Sequence, residues 1–488
     1  MSTTSATQAP GPQIPPALAA LGRVHFLGLA GVGVSAIARL MLAAGVPISG
    51  TDAKDLPVLQ EFRDAGVPVR VGYSAANIAS IEAEAGEPVT TVIASSIANE
   101  GNPEYDAARA AGADILHRSQ GLAACMADQQ AIAVAGTHGK TTTSSMTAVM
   151  LDRAGVQPSF AIGANVAGFG TNAQAGAGQW FVAEADESDG SLLNYRPRIA
   201  VITNVEPDHL DHYGTAEAVE QVFVDFTERI EAGGTLVICA DDDGAAALLE
   251  KVRESLAARD VQILSYGTGE SADIQLNELV PAGAGLEAVL RYADQSARLQ
   301  LKVPGVHNAL NAAAAVGAGL ASGLRLEQAA AAVAEFSGSS RRFELRGEVS
   351  GIRVYDDYAH HPTEVAAVLA AARAAVAYQP DSSLEPGQVH AIFQPHLFSR
   401  TQSFAAEFGA ALEAADTALV LDIYPAREEP IEGVTAELLG HPVHSPDSAV
   451  SAVAAVARPG DIILTIGAGD VTHLGTGIVQ ALRERTGG

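Results

Sequence analysis

Two glycine-rich turns constrain this chain more than any other feature. Each one follows a short apolar run and precedes a run with helical spacing. The first is Gly28-Leu-Ala-Gly31-Val-Gly33-Val34-Ser-Ala36, after Val24–Leu29. The second is Gly136-Thr137-His138-Gly139-Lys140-Thr141-Thr142-Thr, after Ala131–Ala135. A strand that turns on glycine into a helix aims backbone N–H groups and the positive end of the helix dipole at one point, a ready site for phosphate. Such units imply parallel sheets covered by helices on both faces.

The first turn contains G-x-G-x-x-A, on Gly31, Gly33 and Ala36, with Asp52 lying 21 residues after Gly31 at the end of the next strand. This is the spacing of a dinucleotide fingerprint. Taken alone it fits NAD; it fits a nucleotide-sugar diphosphate equally. The second turn is the back half of a phosphate loop, in which Lys140 reaches terminal phosphates and the Thr141 hydroxyl serves a Mg²⁺ ion. The leading glycine of the full pattern would fall at Val134, so this loop is shorter. Only four of the 29 basic residues are lysines, at 54, 140, 251 and 302, which makes a lysine inside a motif a rare coincidence. Two phosphate loops in one chain argue against a simple dehydrogenase.

Strand–helix alternation runs through three series. The first holds Val24–Leu29, Ser35–Ala44, Ile48–Gly50, Val67–Val71, Thr91–Ala94 and the helix Tyr105–Ala111. The second holds Ala131–Ala135, the helix Thr141–Ala154, Trp180–Ala183, Ile199–Asn204 and Thr235–Cys239. It continues through Ser271–Val303, which reads as a small antiparallel element, and two Ala-rich helices, Asn308–Ala321 and Leu326–Glu335. The third holds Ile352–Tyr355, the helix Pro362–Ala377, Val389–Phe393, Thr417–Leu421 and Ile462–Ile466, with a polar loop over Asp381–Gly387. The expected architecture is a flexible tail over 1–20 and three tandem α/β domains. These are a Rossmann-like N-terminal domain over 21–118, a central P-loop ATPase-like domain over 119–337 and a Rossmann-like C-terminal domain over 338–488. Ligands should sit in clefts at the C-terminal ends of the strands.

Acids and histidines collect at those strand ends. Glu184 leaves an apolar strand ahead of Asp186, Glu187 and Asp189, where a P-loop enzyme holds its metal-binding acid. The other three acids are expected in solvent or capping the next helix. Asn204-Val-Glu206-Pro-Asp208-His209-Leu-Asp211-His212 ends another strand, and His209 suits a second divalent cation. In the third series, Asp356-Asp357-Tyr358-Ala-His360-His361-Pro-Thr-Glu364 and Gln394-Pro-His396-Leu-Phe-Ser-Arg400 could line one cleft. A three-histidine zinc site is conceivable there, but adjacent histidines rarely share a metal. A substrate pocket is preferred, with Arg400 for a carboxylate and His or Asp for an amine.

The net charge of −28 excludes a general nucleic-acid binder and disfavours anionic membranes. Positive potential for an anionic substrate must therefore be local. Two cysteines, no apolar leader in the first 16 residues and no apolar run of 18 point to a soluble, cytoplasmic protein in a reducing compartment. No dimer stripe stands out, so a monomer or weak homodimer is expected.

The order and spacing of these motifs resemble the Mur ligase family over nearly the whole chain after the tail. The resemblance also rests on Ser95-Ser96-Ile-Ala-Asn-Glu-Gly-Asn-Pro-Glu104, Pro304-Gly-Val-His-Asn308 and Arg341-Arg342-Phe343. It implies one domain each for a UDP-sugar, ATP and an amino acid, and it assigns the first loop, with Gly28, Gly31, Gly33, Val34, Asp52, Ser95 and Ser96, to the UDP-sugar rather than NAD. It implies ATP contacts through residues 136–142, Asn308 at the adenine and Arg342 from the domain junction. Thr141, Glu184 and His209 would serve Mg²⁺. Asn172 would face the muramyl lactyl end, and Tyr358, His360, His361, His396 and Arg400 would shape an alanine pocket. The implied reaction joins L-alanine to the lactyl carboxylate of UDP-N-acetylmuramate (UDP-MurNAc) through an acyl phosphate. Lys140, Glu184 and His209 would be catalytic, and a carboxylate or His near Asp357 and His360 would take the amine proton. Sister ligases carry a modified lysine shortly after the histidine motif, and here no lysine lies between 140 and 251, which fits the alanine-adding branch. The family's Gly-Gly is Gly163-Ala164 in this chain. The alternatives are a ligase that joins a tripeptide to the same UDP-sugar in muropeptide recycling, a NAD-dependent oxidoreductase and a nucleotide-binding scaffold without turnover.

Overall fold

A computed structural model describes residues 14–94, 100–378, 386–426 and 428–486. Ser95, Ser96 and most of the Asp381–Gly387 loop lie outside the described residues. The strands form three sheets. The first is parallel throughout, in spatial order Val69–Val71, Ile48–Asp52, Val24–Leu27, Thr91–Ala94, Asp114–His117. The order reverses between Val24–Leu27 and Thr91–Ala94, and a crevice opens at such a switch point. The first glycine turn leaves Val24–Leu27 there and starts the helix Val32–Ala43 at Gly31.

The strand Val24–Leu27 is buried at every residue, His25 included. His25 is satisfied by Ser49 Oγ at 2.9 Å and Glu104 Oε1 at 2.9 Å, so this histidine is a core residue. Part of the expected tail is ordered instead: Pro16–Ala19 forms a short helix because Leu18 is buried in the apolar core.

The central sheet has ten strands. Gln130–Ala135, which carries the second glycine loop, pairs in parallel with Ile199–Ile202 on one side and Trp180–Glu184 on the other. Both acid-bearing strand ends therefore flank the loop by topology. The stretch 271–303 is antiparallel as expected, over Ile274–Ala282, Gly285–Tyr292 and Gln295–Leu301. It is not a separate element, because Ile274 and Gln275 pair in parallel with Gln262–Gly267 and extend the same sheet.

The third sheet runs Glu344–Val349, Ile352–Asp357, Ile462–Ile466, Val389–Phe393, Thr417–Val420, with only the first strand antiparallel. Apolar clusters cover both of its faces. A larger cluster is continuous from the first sheet into the second. Among the described residues, no helix is long and apolar enough to cross a membrane.

Candidate active site

The second loop is shaped by contacts that admit only glycine. Gly136 has φ +131°, and a Cβ there would lie 2.0 Å from Thr203 Oγ1. Gly139 has φ +82°, and its Cβ would lie 2.6 Å from Asn311 Oδ1. Lys140 opens the helix Lys140–Arg153 and folds back over the loop. Its Nζ donates to Gly136 O at 2.7 Å, Thr137 O at 3.0 Å and Glu187 Oε1 at 2.7 Å. Burial works against the ammonium charge, but Glu187, Asp186 and Glu184 outweigh it and hold its pKa above the usual lysine range.

Glu184 lies beside this lysine. Its Oε1 accepts from the Thr141 hydroxyl at 2.9 Å and its Oε2 from Gly163 N at 2.7 Å. A Cβ at 163 would meet that carboxylate at 2.8 Å and push it aside, so glycine there lets Glu184 keep this position. Glu187 is not in solvent as the sequence suggested. It is 1% exposed, because Lys140 and the ring of His209 (Nε2 to Oε1 3.7 Å) both face it. Its Oε2 is buried without a hydrogen-bond partner. His209 sits at φ +55° ahead of the helix Leu210–Tyr213. Burial lowers its pKa, yet Glu187 and Asp208 raise it further, for a net rise.

The C-terminal domain completes the site across three contacts. Arg342 Nη2 donates to Thr141 Oγ1 at 3.4 Å, and its guanidinium stands over the Tyr358 ring at 5.2 Å. Arg400, expected to hold a substrate carboxylate, is buried and donates to Asp208 Oδ1 at 3.2 Å. Burial raises the Asp208 pKa, but Arg400 and His209 hold it well below the usual carboxylate range. The His138 ring lies between two acids, with Nδ1 3.1 Å from Glu364 Oε1 and Nε2 3.6 Å from Glu206 Oε2. Burial opposes its charge, yet these two acids lift its pKa to about 9.

Tyr358, His360 and His396 are neighbours, with ring centroids 5.3 Å and 6.1 Å apart along the series. His396 stacks on Tyr424. Burial pushes His360 down to about 3 and His396 to about 4, so both are neutral near pH 7. The Asp357 carboxylate accepts from Phe343 N at 2.7 Å and Ala359 N at 2.8 Å, and burial pushes its pKa up to about 6. These bonds hold the turns that carry Arg342 and Tyr358. A cavity of about 170 Å³ between the two domains is lined by Asn308, His307, Asn311, Tyr266, Phe336 and Arg342, among others. Asn308 reaches it from the helix Val306–Ala321, anchored by Nδ2 donating to Pro304 O at 2.6 Å.

At the first loop, Asp52 accepts from Ala30 N at 2.9 Å and Lys54 N at 3.2 Å, so it braces the turn. The first-turn N–H groups of Val32, Gly33 and Val34 have no partner within their helix. Arg118 passes beside Gly33 and donates to Asp186 and Asp189 at 3.0 and 3.3 Å, which links the first sheet to the second loop. Asn172 is 2% exposed and fully engaged: it accepts from Arg39 at 2.7 Å and donates to Val32 O at 3.0 Å and Ile162 O at 3.3 Å. The structure therefore places it in the junction between the first two domains. Glu187, Asp208, Arg118, Glu206 and Glu364 carry as much of the geometry as the residues singled out from sequence. All but Arg118 lay inside the motifs, and their strand-end positions were the available signal.

Two glycine loops on parallel strands, a lysine ringed by acids and an interdomain cavity beside the second loop define a three-domain α/β enzyme of phosphate chemistry. The comparisons give the family. The chain matches the models described as Mur ligase family, catalytic domain, over residues 23–130, Mur ligase middle domain over 134–319 and Mur ligase, glutamate ligase domain, over 341–469. It is 54% identical to the UDP-N-acetylmuramate–L-alanine ligase of Paenarthrobacter aurescens, over 95% of this chain and 98% of that one. It is 55% identical to the enzyme of the same name from an Arthrobacter species, over 96% and 97%. Among solved structures it resembles the UDP-N-acetylmuramate–alanine ligase of Thermotoga maritima, with a TM-score of 0.74, 25% identity, and 96% of this chain and 100% of that one covered. It also resembles a murein peptide ligase from Psychrobacter arcticus, with a TM-score of 0.66, 26% identity, and 94% and 98% covered. The chain belongs to the Mur ligase family.

Proposed function

We propose that this ligase joins L-alanine to the lactyl carboxylate of UDP-MurNAc at the expense of ATP, in peptidoglycan precursor synthesis. The observation that carries the reading is the Lys140–Glu187–His209 group, gathered around a buried carboxylate beside Thr141–Glu184, at a junction of all three domains. It is supported by relatives of that name that match almost end to end.

ATP would lie along residues 136–142, with the adenine in the cavity at Asn308 and Arg342 near the phosphates. The lactyl carboxylate attacks the γ-phosphate, and ADP leaves. The ammonium of alanine gives up a proton to a base near Asp357 and His360, the free amine attacks the acyl phosphate, inorganic phosphate leaves and an amide remains. Three anions must converge on a loop already surrounded by Glu184, Asp186, Glu187 and Asp189. At 4 Å, two like charges repel by about 4 kcal/mol at an effective dielectric of 20. Lys140 alone cannot offset this. The residues fit Mg²⁺: Thr141 with Glu184, and His209 with the unpartnered Oε2 of Glu187, offer oxygen and imidazole donors on both sides of the lysine. When bound, the ion neutralises phosphate charge. Lys140 then exchanges Glu187 for a phosphate oxygen. Neutral His360 and His396 border the space for the amino acid without repelling its ammonium group. Arg400 would reach its carboxylate by releasing Asp208.

The first loop would hold the UDP diphosphate on the N–H groups of Val32–Val34. The second reading, a ligase for a tripeptide, is favoured by the Psychrobacter likeness but by no feature of the pocket. Phosphate release from ATP with UDP-MurNAc separates the two. Release should depend on L-alanine and not on the tripeptide; release with the tripeptide alone would reverse the assignment.

A further inference from the structure

A second cluster of ligating side chains lies at the edge of the second loop, apart from the Lys140–Glu187–His209 group. His138, Glu206 and His361 each offer one ligating atom, and these three atoms lie within 4.8 Å of one another. His138 and Glu206 belong to the central domain; His361 opens the helix Pro362–Ala377 of the C-terminal domain. We propose that these three residues form a binding site for a divalent transition cation of the Zn²⁺ class, which would pin the central and C-terminal domains together.

Four features support it. Both nitrogens of His361, which is 5% exposed, and Nε2 of His138, which is 9% exposed, are buried without hydrogen-bond partners, and the His138 atom is turned toward Glu206. Buried polar atoms are seldom left so. The other ring nitrogen of His138 is held by Glu364 at 3.1 Å, the carboxylate–histidine arrangement that fixes the tautomer of a metal-binding imidazole. Glu206 Oε2 is likewise oriented by the Thr363 hydroxyl at 2.8 Å. The set of two imidazoles and one carboxylate leaves a fourth position open, as in three-ligand zinc sites. Ligands of a tetrahedral zinc at bonds of about 2.0–2.1 Å stand roughly 3.3 Å apart. The present separations are 3.6 Å for His138 to Glu206 and 4.0 Å for His361 to Glu206, within reach of small side-chain rotations. Imidazole favours zinc and cobalt over magnesium, so this site and the Thr141–Glu184 site select different ions.

The proposal is independent of the ligase reading, because its test uses the full chain without substrates. Co²⁺ is titrated in the presence of excess Mg²⁺ and followed by visible absorption. One equivalent should give the bands of four- or five-coordinate Co²⁺, and Zn²⁺ should displace it. His361→Ala and Glu206→Gln should each weaken uptake at least tenfold, while Glu184→Gln and His209→Ala leave it unchanged. Zn²⁺ should raise the melting temperature of the unaltered protein but not of His361→Ala, with the two sharing one far-UV circular dichroism spectrum. Absence of the bands, undiminished uptake by His361→Ala, or loss of uptake in Glu184→Gln or His209→Ala would overturn it. An imidazolium bridging two carboxylates would then describe the cluster.

Discussion

The first glycine loop has Asp52 at its mouth, and that acid accepts from the loop's Ala30 N–H and from Lys54 N–H. The second has Glu184 and Glu187 beside it, bonded to its Thr141 hydroxyl and its Lys140 ammonium. Strand, glycine turn and helix are common to the two. The difference lies in what the flanking strands deliver. The first loop offers an anion bare backbone donors and a helix end. The second places a lysine and several carboxylates together, so an anion binds there only with added positive charge. On the proposed reading, one local motif would thus serve a diphosphate held through binding alone and a triphosphate that must react.

The largest effect is expected at the residue the first loop lacks. Lys140→Met should lower alanine-dependent phosphate release on the order of 10³-fold, as for a lost oxyanion donor, with UDP-MurNAc affinity retained. Turnover within tenfold of the unaltered enzyme would erase the distinction between the loops.

Next come the glycines. Gly136→Ala combines a left-handed φ with a 2.0 Å collision at Thr203, so urea unfolding should show a loss of about 2–4 kcal/mol. At Gly33 a Cβ would find only Arg118, at 3.8 Å, an ordinary contact. Gly33→Ala should therefore fold normally and raise the KM for the UDP-sugar about tenfold, or about 1.4 kcal/mol, with the KM for ATP unchanged. A shift in the ATP value instead would move the UDP-sugar away from the first loop.

The smallest effect sharpens what the second loop borrows from the C-terminal domain. Asp357, raised to about 6 by burial, supports the turn that carries Arg342. A raised carboxylate pKa stabilises the fold below the unfolded value near 3.9, and that contribution is lost as pH rises through the folded value. Between about pH 5 and pH 7.5, the stability of the unaltered protein relative to Asp357→Asn should fall by about 1 kcal/mol. A constant difference between the two proteins would show that the carboxylate is not the titrating group.

The parts legible in sequence were those with local causes. Both turns follow buried strands, and glycine and lysine spacing alone marked them. The long helix Pro362–Ala377 coincides with its expected span, with Glu364 closing its first turn. Short paired segments such as Ser159–Val166 and Thr171–Gln174 gave no periodic signal, since their partners are distant or irregular in register. Partnerships between domains were equally hidden. Nothing near Arg400 in sequence announces Asp208, and Asn172 lies 133 residues from Arg39.

Calorimetric titration tests the central contrast most directly, with UDP-MurNAc and a non-hydrolysable ATP analogue each added with and without Mg²⁺. The account predicts that the ATP analogue binds only with Mg²⁺ and loses affinity in Glu184→Gln, while UDP-MurNAc binds equally well without the ion and in that variant. Mg²⁺-dependent binding of UDP-MurNAc, or metal-independent binding of the ATP analogue, would contradict it.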